Sequence, residues 1–378
     1  MTYLDHNAVT PARPEAIAAA ERALRAFGNP SSIHAAGREA RGLLDRAREQ
    51  ASRALGVAPR DLVFTSGATE SAALAVRGTL LAAPEGRTGL VVTAIEHPCV
   101  LDLARELARG GTPVQVVPVD GDGVVDLEVL RAAVTEETAL VCCMLANNET
   151  GVLQPVREAS ALARAAGARV LCDAVQGVGK VPVDVPGLGA DLVALTAQKF
   201  GGVRGAGALW IAPGVRLAPL LGGHQERGRR AGTENLPGIA ALGAGLEAAV
   251  AALPVEAPRV RALRDRLERG LLGAVPGARV NGGGAPRLPG TLSVTFPGAD
   301  GEALLVALDL EGVCASAGAA CTSGSATPSH VLSAMGLSPA EARGTLRLSL
   351  GWPSAPADVD HALRVLPPIV ERVRAALR

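Results

Sequence analysis

The chain has very little lysine, few aromatic residues and no long uncharged hydrophobic run. Of its 378 residues, 37 are basic, yet only Lys180 and Lys199 are lysine, and aromatic residues make up 2%. No segment reaches the roughly 18 apolar residues of a transmembrane helix without a glycine, a proline or a charge. The first residues also lack the basic and apolar regions of a secretory signal. We therefore expect a cytoplasmic protein with no membrane partner.

Neither sign of charge is in excess, because 37 acidic residues balance the 37 basic ones and no block of like charge occurs. This balance argues against a protein that binds nucleic acid or a membrane surface. The six cysteines form no CxxC pair and no spacing typical of zinc ligands, so we expect no metal site. Most of them should be small core residues in a reducing compartment. They are Cys99, Cys142, Cys143, Cys172, Cys314 and Cys321.

The scarcity of lysine raises the question of what arginine could not do at the two lysine positions. Arginine keeps its proton near neutral pH and forms no Schiff base. A desolvated lysine can lose its proton and can form a Schiff base. Lys180 and Lys199 are therefore candidates for covalent chemistry, although one of the two could be a chance survival.

Apolar runs of strand length alternate with stretches rich in alanine, leucine and arginine that have a helical period. Strands that are apolar on both faces are typical of a mainly parallel sheet covered by helices on both sides. The predicted strands are 61–65, 89–95, 113–119, 139–145, 168–174, 191–197 and 207–212, and the predicted helices include 70–82, 99–110 and 156–167.

A second, smaller α+β domain is predicted beyond the proline-bounded stretch 253–260. From there the pattern predicts a helix, a strand, a helix and a strand, at 261–275, 291–296, 301–312 and 313–316. We expect a large domain at 13–254 and a small domain at 255–378, to which the N-terminal segment 1–12 is joined.

One polar motif, "FTSGATES" (64–71), combines a strand end, a glycine turn and a helix start. Free N–H groups and the helix dipole could make this turn a phosphate cradle, although an ordinary N-cap has the same pattern. The motif has neither the P-loop pattern nor GxGxxG, which argues against an NTPase and against a Rossmann dehydrogenase.

Three further strand ends carry residues that would suit a pyridoxal 5'-phosphate site. Asp173 follows one strand, and Gln176 lies one turn later. The carboxylate of Asp173 could pair with a protonated ring nitrogen or cap the next helix. Lys199 follows another strand and precedes two glycines that would let a ligand approach closely. His97 could stack its ring on the cofactor, and no further ligands at metal spacing accompany it. A Schiff-base lysine, a pyridinium partner and a phosphate cradle together predict this one cofactor.

The order of the motifs resembles that of the cysteine desulfurases of the NifS/IscS branch, within the class V aminotransferase-like enzymes. The resemblance covers nearly the whole chain and is highly specific. It implies the aspartate aminotransferase-like fold of pyridoxal-phosphate-dependent transferases, with a mainly parallel large domain and a smaller α+β domain. The motifs that carry it are "YLDHNAVT" (3–10), "GNPSSIH" (28–34), "FTSGATES", "EHPCV" (96–100), "NNETGVLQPV" (147–156), "DAVQGVGK" (173–180), "QKFGG" (198–202), "QERGRRAGTEN" (225–235), "AGAACTSG" (317–324), "PSHVLSAMG" (328–336) and "RLSLG" (347–351).

The resemblance implies roles for residues that would hold the cofactor and the substrate. Lys199 matches the Schiff-base lysine, His97 the ring-stacking residue, Asp173 the partner of the pyridine nitrogen and Gln176 the partner of the ring hydroxyl. Asn148 and Arg347 match positions that hold the substrate carboxylate, which suits arginine's planar fork. The positions that match phosphate contacts are Ala68, Thr69 and Thr196, together with Thr233, which such enzymes lend across a homodimer interface.

Cys321 matches the cysteine that takes sulfur from L-cysteine, leaving L-alanine and an enzyme persulfide. Its surroundings at 316–330 are almost all small residues. Little side-chain packing should hold them, so we expect a mobile tether that brings the thiolate to the substrate and then to another protein. That partner would be a sulfur-acceptor protein, either an iron–sulfur scaffold or a relay for tRNA thiolation or thio-cofactors.

The chain departs from the family pattern at a few positions. Gln198 stands where most relatives have histidine before the Schiff-base lysine; glutamine can donate a neutral hydrogen bond to phosphate but cannot carry charge or shuttle a proton. His6 replaces a frequent asparagine, and Ala317 and Ala319 replace serines near the mobile cysteine. We expect these changes to tune the site without removing its chemistry.

Two other interpretations remain open from the residues alone. The same fold and cofactor could serve a selenocysteine lyase or another class V lyase or aminotransferase, although Cys321 in a loop of this kind favours sulfur transfer. A non-catalytic paralogue that acts only as a partner is a further alternative, motivated by Gln198.

Overall fold

The computed structural model describes residues 1–317 and 328–377. Its strands are β1 (Thr2–Tyr3), β2 (Leu62–Thr65), β3 (Gly89–Thr93), β4 (Val114–Val117), β5 (Thr138–Cys142), β6 (Arg169–Asp173), β7 (Leu192–Thr196), β8 (Gly207–Ile211), β9 (Arg279–Val280), β10 (Thr291–Thr295), β11 (Val313–Cys314), β12 (Ser316–Ala317) and β13 (Thr345–Ser349). Its helices are α1 (Pro14–Arg25), α2 (Ala35–Leu55), α3 (Ala68–Ala82), α4 (Pro98–Arg109), α5 (Leu127–Ala133), α6 (Val156–Ala165), α7 (Leu236–Ala274), α8 (Gly301–Leu310), α9 (His330–Ala334), α10 (Pro339–Arg343) and α11 (Pro356–Ala376).

The large sheet has seven strands in the order β2-β8-β7-β6-β5-β3-β4. Strand β8 runs antiparallel to both of its neighbours, and the remaining pairs are parallel. Every residue of β5 and β7 is buried, because helices cover both faces: α3 and α4 on one side, α2, α6 and α7 on the other. The predicted mainly parallel α/β fold is confirmed, and each strand predicted for this sheet is present.

The carboxyl ends of the parallel strands meet at one edge of this sheet, as such strands must. Strand β6 ends at Asp173, and β7 pairs beside it with Asp173 opposite Ala194. Strand β7 then leads into a short 3-10 turn that ends at Lys199. The polar motifs of the sequence therefore converge on this edge.

Helix α7 is much longer than the helix predicted at 261–275. It runs without a break for 39 residues and contains Pro254 and Pro258. Each internal proline removes a backbone hydrogen bond, but tertiary packing outweighs that loss. The first half of the helix packs on α1 and α2, and the second half packs on α11.

By length and composition α7 could cross a membrane, but 56% of its most apolar window is buried inside the protein. The buried face includes Leu242 and Leu246 against the large sheet, and Leu267 and Leu271 further along. We interpret it as a core helix.

A second hydrophobic core lies around an antiparallel sheet of order β12-β13-β10-β9. Helices α8 and α11 cover this sheet, and Leu4 of the N-terminal segment is fully buried in the same core. Strand β1 pairs in parallel with β11. The predicted strand at 313–316 is divided into the short strands β11 and β12.

Candidate active site

The site is built around Lys199 and Asp173 at the carboxyl edge of the large sheet. Lys199 Nζ donates hydrogen bonds to the carbonyl oxygens of Asn7 (2.8 Å) and Ala8 (2.6 Å). Asp173 is 7% exposed, and its Oδ1 accepts a hydrogen bond of 3.0 Å from the N–H of Val175. Burial raises the pKa of Asp173 to about 6, although this hydrogen bond and the charge of Lys199 oppose the rise. A carboxylate held in this way can partner a cationic ring nitrogen.

Gln176 and the N-terminal segment complete the surroundings of Lys199. Gln176 Nε2 donates to the carbonyl oxygen of Asn7 over 2.9 Å, so this carbonyl accepts from both Gln176 and Lys199. Asn7 lies in the motif "YLDHNAVT" (3–10), but the sequence alone indicated no role for it. Its position in that motif was the one feature of the sequence that could have marked Asn7 as a site residue.

His97 stands at the start of α4 as its N-cap, and its Nδ1 accepts a hydrogen bond of 3.2 Å from the N–H of Cys99. Because Nδ1 accepts, the proton of the neutral ring is on Nε2. Burial and the charges of Lys199 and His330 lower the pKa of His97 to about 4. The imidazole is therefore uncharged near neutral pH, which suits stacking on a flat aromatic ring.

The start of α3 has the features of an anion cradle. Gly67 is its N-cap and supplies no side-chain cap, so the first N–H groups of the helix, at Ala68 and Thr69, have no capping side chain. A Cβ added to Gly67 would lie 3.6 Å from Thr196 Oγ1, which places this hydroxyl beside the turn. Thr196 Oγ1 also donates to Gln198 Oε1 over 2.7 Å. These groups fit a phosphate.

Thr233 is exposed and lines a surface cavity together with Ser66 and Arg230. Arg230 pairs with Glu70 of α3, with an Nε to Oε1 distance of 2.7 Å. This pair holds the segment of Thr233 near the helix start that bears Ala68.

Arg347 lies on β13 and is 3% exposed. Its Nη2 donates to Asp5 Oδ1 over 2.7 Å and its Nη1 to the carbonyl oxygen of Asn148 over 3.2 Å. Within residues 1–317 and 328–377, its buried Nε has no hydrogen-bond partner. The two residues expected to hold a substrate carboxylate are thus adjacent, and Asp5 is a partner that sequence reasoning missed.

Two buried carboxyl groups near the site were also missed. Glu96 accepts hydrogen bonds from Thr93 Oγ1 (2.6 Å) and from the N–H of Met144 (2.7 Å). Complete burial, with a smaller contribution from Asp173, raises the pKa of Glu96 to about 8. Glu149 is buried as well and accepts a hydrogen bond from Ser329. Glu96 lies in the motif "EHPCV" and Glu149 in "NNETG", and these positions were the features of the sequence that could have marked them as site residues. Neither motif indicates that the carboxyl side chain is buried.

Cys321 lies outside the described residues. The described residues on either side of its segment lie at the site. Ser316 of β12 pairs with Arg347 of β13, and Ser329 is the N-cap of α9. The cysteines Cys142, Cys143 and Cys172 are fully buried, and burial raises their pKa well above the ordinary value. Their expected place in the core is confirmed.

Comparison with known proteins identifies one family over nearly the whole chain. The model of the aminotransferase class-V family matches residues 2–362. A cysteine desulfurase from Cereibacter sphaeroides is 48% identical over 99% of this chain and 96% of its own length. The solved structure of a NifS-like protein has a TM-score of 0.91, 36% identity and coverage of 98% of this chain and 99% of that one. A structure of SspA in complex with cysteine has a TM-score of 0.82, with 32% identity over 94% of this chain and all of that one (100%).

Proposed function

This chain belongs to the class-V aminotransferase family and, within it, to the pyridoxal-phosphate-dependent cysteine desulfurases, and on that premise we propose which of its residues carry the reaction. The observation that supports the assignment best is the pair of Asp173 and Lys199, from neighbouring strands, at one edge of the sheet. The buried carboxylate, the lysine, the neutral imidazole and the uncapped helix start fit this cofactor. When bound, the cofactor withdraws electrons from the Cα of an amino acid.

Four side chains would hold the ring of the cofactor. Lys199 provides the amine for covalent attachment, and Asp173 holds a negative charge where the pyridine nitrogen would lie. Gln176 would donate to the ring hydroxyl, and the neutral His97 would stack on the ring. The low pKa of His97 supports stacking, because an uncharged imidazole places no positive charge against an electron-poor ring.

The phosphate would bind at the start of α3. Ala68 and Thr69 offer backbone N–H groups, and Gln198 offers its amide nitrogen, because its oxygen accepts from Thr196. Thr196 would redirect its single O–H from Gln198 to the phosphate. Thr233 would reach the phosphate of the partner subunit, which makes the enzyme a homodimer with shared sites. The exposure of Thr233 in the single chain supports this placement.

Substrate L-cysteine would bind through its carboxylate to Arg347 and Asn148. The guanidinium is already held in a buried position by Asp5 and by the carbonyl of Asn148, so little rotamer freedom is lost on binding. A buried arginine with an unpaired N–H is suited to a carboxylate.

Cys321 would accept the sulfur. Its thiolate attacks the Sγ of L-cysteine, an S–S bond forms, and the C–S bond breaks with its electron pair going to the substrate carbon. That carbon is reduced and protonated to give L-alanine, while the enzyme sulfur is oxidised to a persulfide, so atoms and electrons balance. The persulfide would pass to a sulfur-acceptor protein, an iron–sulfur scaffold or a sulfur relay, in the cytoplasm.

The two hydrophobic cores support a large domain at 13–254 and a small one at 255–378, with segment 1–12 attached to the small core through Leu4. Helix α7 passes through this boundary without a loop. The substrate residue Arg347 and the cofactor residue Lys199 would then belong to different domains, so the active site would lie between them.

Replacing Cys321 with serine tests the sulfur step. Cys321→Ser should bind the cofactor and change its absorbance on addition of L-cysteine, yet release almost no alanine, because a hydroxyl is a far weaker nucleophile towards sulfur. Cys314→Ser, at a half-buried cysteine of β11, is the matched control and should retain turnover. If Cys321→Ser released alanine at the parent rate, selenocysteine lyase would become the better assignment, since release of selenium need not depend on this thiol.

A further inference from the structure

Lys180 has no role in the reaction described so far, yet it contacts Asn7, the residue whose carbonyl oxygen also accepts from Lys199. Its Nζ donates to Gln176 Oε1 over 2.5 Å and to Asn7 Oδ1 over 3.0 Å. The only two lysines of the chain therefore both hydrogen-bond to Asn7, one at the backbone and the other at the side chain. This arrangement argues against chance survival of Lys180.

The position of Lys180 decides which way two amide groups point. An ammonium group has donors and no acceptor, so only the oxygen of an amide can face it. Gln176 accordingly turns its oxygen to Lys180 and its nitrogen to the carbonyl oxygen of Asn7. The flipped amide would set two donors against each other at Lys180 and two acceptors against each other at Asn7. The orientation of Gln176 is thus determined at both ends.

The same reasoning applies to the side chain of Asn7. Its oxygen faces Lys180, and its nitrogen donates to the carbonyl oxygen of Asn148 (3.1 Å) and to Thr291 Oγ1 (2.9 Å). The carbonyl of Asn148 also accepts from Arg347. A continuous set of hydrogen bonds therefore runs from Gln176 through Lys180 and Asn7 to Arg347.

Lys180 can fill this role in either protonation state. Burial and the neighbouring cations Lys199 and Arg347 lower the pKa of Lys180 well below its usual range. A neutral amine still has the two N–H bonds that the oxygens of Gln176 and Asn7 require. The neutral amine also has a lone pair that can accept, so in that form the carbonyl oxygens of Asn7 and Asn148, which only accept, keep the amide nitrogens turned away from Lys180.

We infer that Lys180 is a positioning residue: it orients the amide of Gln176 so that a donor faces the ring hydroxyl of the cofactor, and it ties that amide through Asn7 to the residues around Arg347. The inference rests on the proposed function in one respect, the contact between Gln176 and the ring. It adds a side chain that touches neither cofactor nor substrate but sets the direction of one that does.

A double-mutant cycle on cofactor binding tests this inference. The dissociation constant of pyridoxal phosphate is measured by titrating the apo-enzymes of the parent, Lys180→Met, Gln176→Met and the double variant. Lys180→Met should bind the cofactor about tenfold more weakly, as expected for the loss of one well-placed hydrogen bond. In the Gln176→Met background the same change should cost less than about twofold, because no amide remains to be oriented.

Two further measurements separate positioning from a merely structural role. The melting temperature of each apo-enzyme shows whether Lys180→Met only destabilises the fold. Lys180→Arg, which restores donors, should recover part of the affinity. If Lys180→Met does not fold, Lys180→Gln, which is neutral and keeps a donor, replaces it in the cycle with an intermediate loss expected.

Equal losses of affinity in both Gln176 backgrounds, or no loss in either, would overturn the inference. Borohydride trapping keeps this result distinct from a failure of the proposed function. If the cofactor is still trapped on Lys199 in Lys180→Met, the proposed attachment site stands whatever the cycle shows. A cofactor trapped elsewhere would contradict the proposed function itself.

Discussion

The hydroxyl of Ser329 donates a hydrogen bond of 2.5 Å to Oε2 of Glu149, although 180 positions separate the two residues. Ser329 is also the N-cap of α9, so the bond fixes the start of this helix against the loop that contains Asn148. Burial raises the pKa of Glu149 to about 7, against the opposing effects of Ser329 and Arg347. The carboxyl group therefore titrates near physiological pH.

Glu149 should make the protein less stable as the pH rises from about 4.5 to 7. The folded chain holds this proton over that range, whereas the unfolded chain, with an ordinary pKa of 4.5, loses it. The free energy of unfolding falls with pH wherever the folded state binds more protons. Glu149→Gln removes this contribution, so raising the pH from 4.5 to 8 should favour the variant over the parent by about 1–3 kcal/mol.

Urea unfolding at several pH values measures this difference. Glu341→Gln is a matched control, because Glu341 also bonds to the serine that caps a short helix. Hydrogen bonds from Ser338 and Arg279 lower the pKa of Glu341 to about 2, so its loss should leave the slope above about pH 5.5 unchanged, because there Glu341 is ionised in both the folded and the unfolded chain. Parallel stability curves for Glu149→Gln and the parent would show that folding does not raise the pKa of Glu149.

Lys199→Ala should abolish covalent attachment of the cofactor, whereas Lys180→Met should retain it. Lys199 ends the short turn after β7, near enough to Asp173 for its charge to lower the pKa of that carboxyl group, while Lys180 is turned to the amides of Gln176 and Asn7. The absorbance band of the bound cofactor, together with mass spectrometry after borohydride reduction, identifies the attached residue. A reducible covalent cofactor in Lys199→Ala would show that the assignment is wrong.

Gln198→His should bind the cofactor more tightly than the parent does. The oxygen of Gln198 accepts from Thr196, which leaves one neutral amide group as the donor to a phosphate. An imidazolium would add charge, and we expect a gain of about 0.5–1.5 kcal/mol, the range for exchange of a single hydrogen bond. Titration of the apo-enzyme with cofactor measures it, and equal dissociation constants would show that the substitution is silent.

Thr233 should act across the interface of a homodimer. Thr233→Glu would place a carboxylate against the phosphate, and Lys199→Ala removes the attachment site, so each variant alone should be inactive. A mixed dimer of the two variants would contain one site with an intact Lys199 and an intact Thr233 from the other chain. Co-expression should then restore activity, up to about half of the parent value for each mixed dimer if the sites act independently.

Sedimentation at micromolar concentration supplies the control, since the proposal requires a dimer. Fully active monomers, or mixed dimers as inactive as the single variants, would contradict a shared site. In the second case Thr233 would act within its own chain.

The mainly parallel sheet and the strand ends that bear Asp173 and Lys199 could be predicted from the sequence. Buried parallel strands are apolar throughout and alternate with amphipathic helices, so their pattern is local and periodic. The resemblance to cysteine desulfurases added residue roles because its motifs occur in order. Helix α7 was predicted too short, because Pro254 and Pro258 are local signals for a helix end, whereas packing on both halves of the helix is not local.

Only the tertiary structure decided which side chains meet at the site. Asn7 contacts Lys199 across 192 positions, and Asp5 contacts Arg347 across 342. Contacts at such separations leave no periodic pattern in the sequence, since they depend on how the N-terminal segment crosses both cores. The pKa values of Glu96, Glu149 and His97 follow from burial and neighbouring charges in the same way. The sequence alone determined the sheet and the order of its motifs, whereas folding determined the orientations and protonation states on which the chemistry depends.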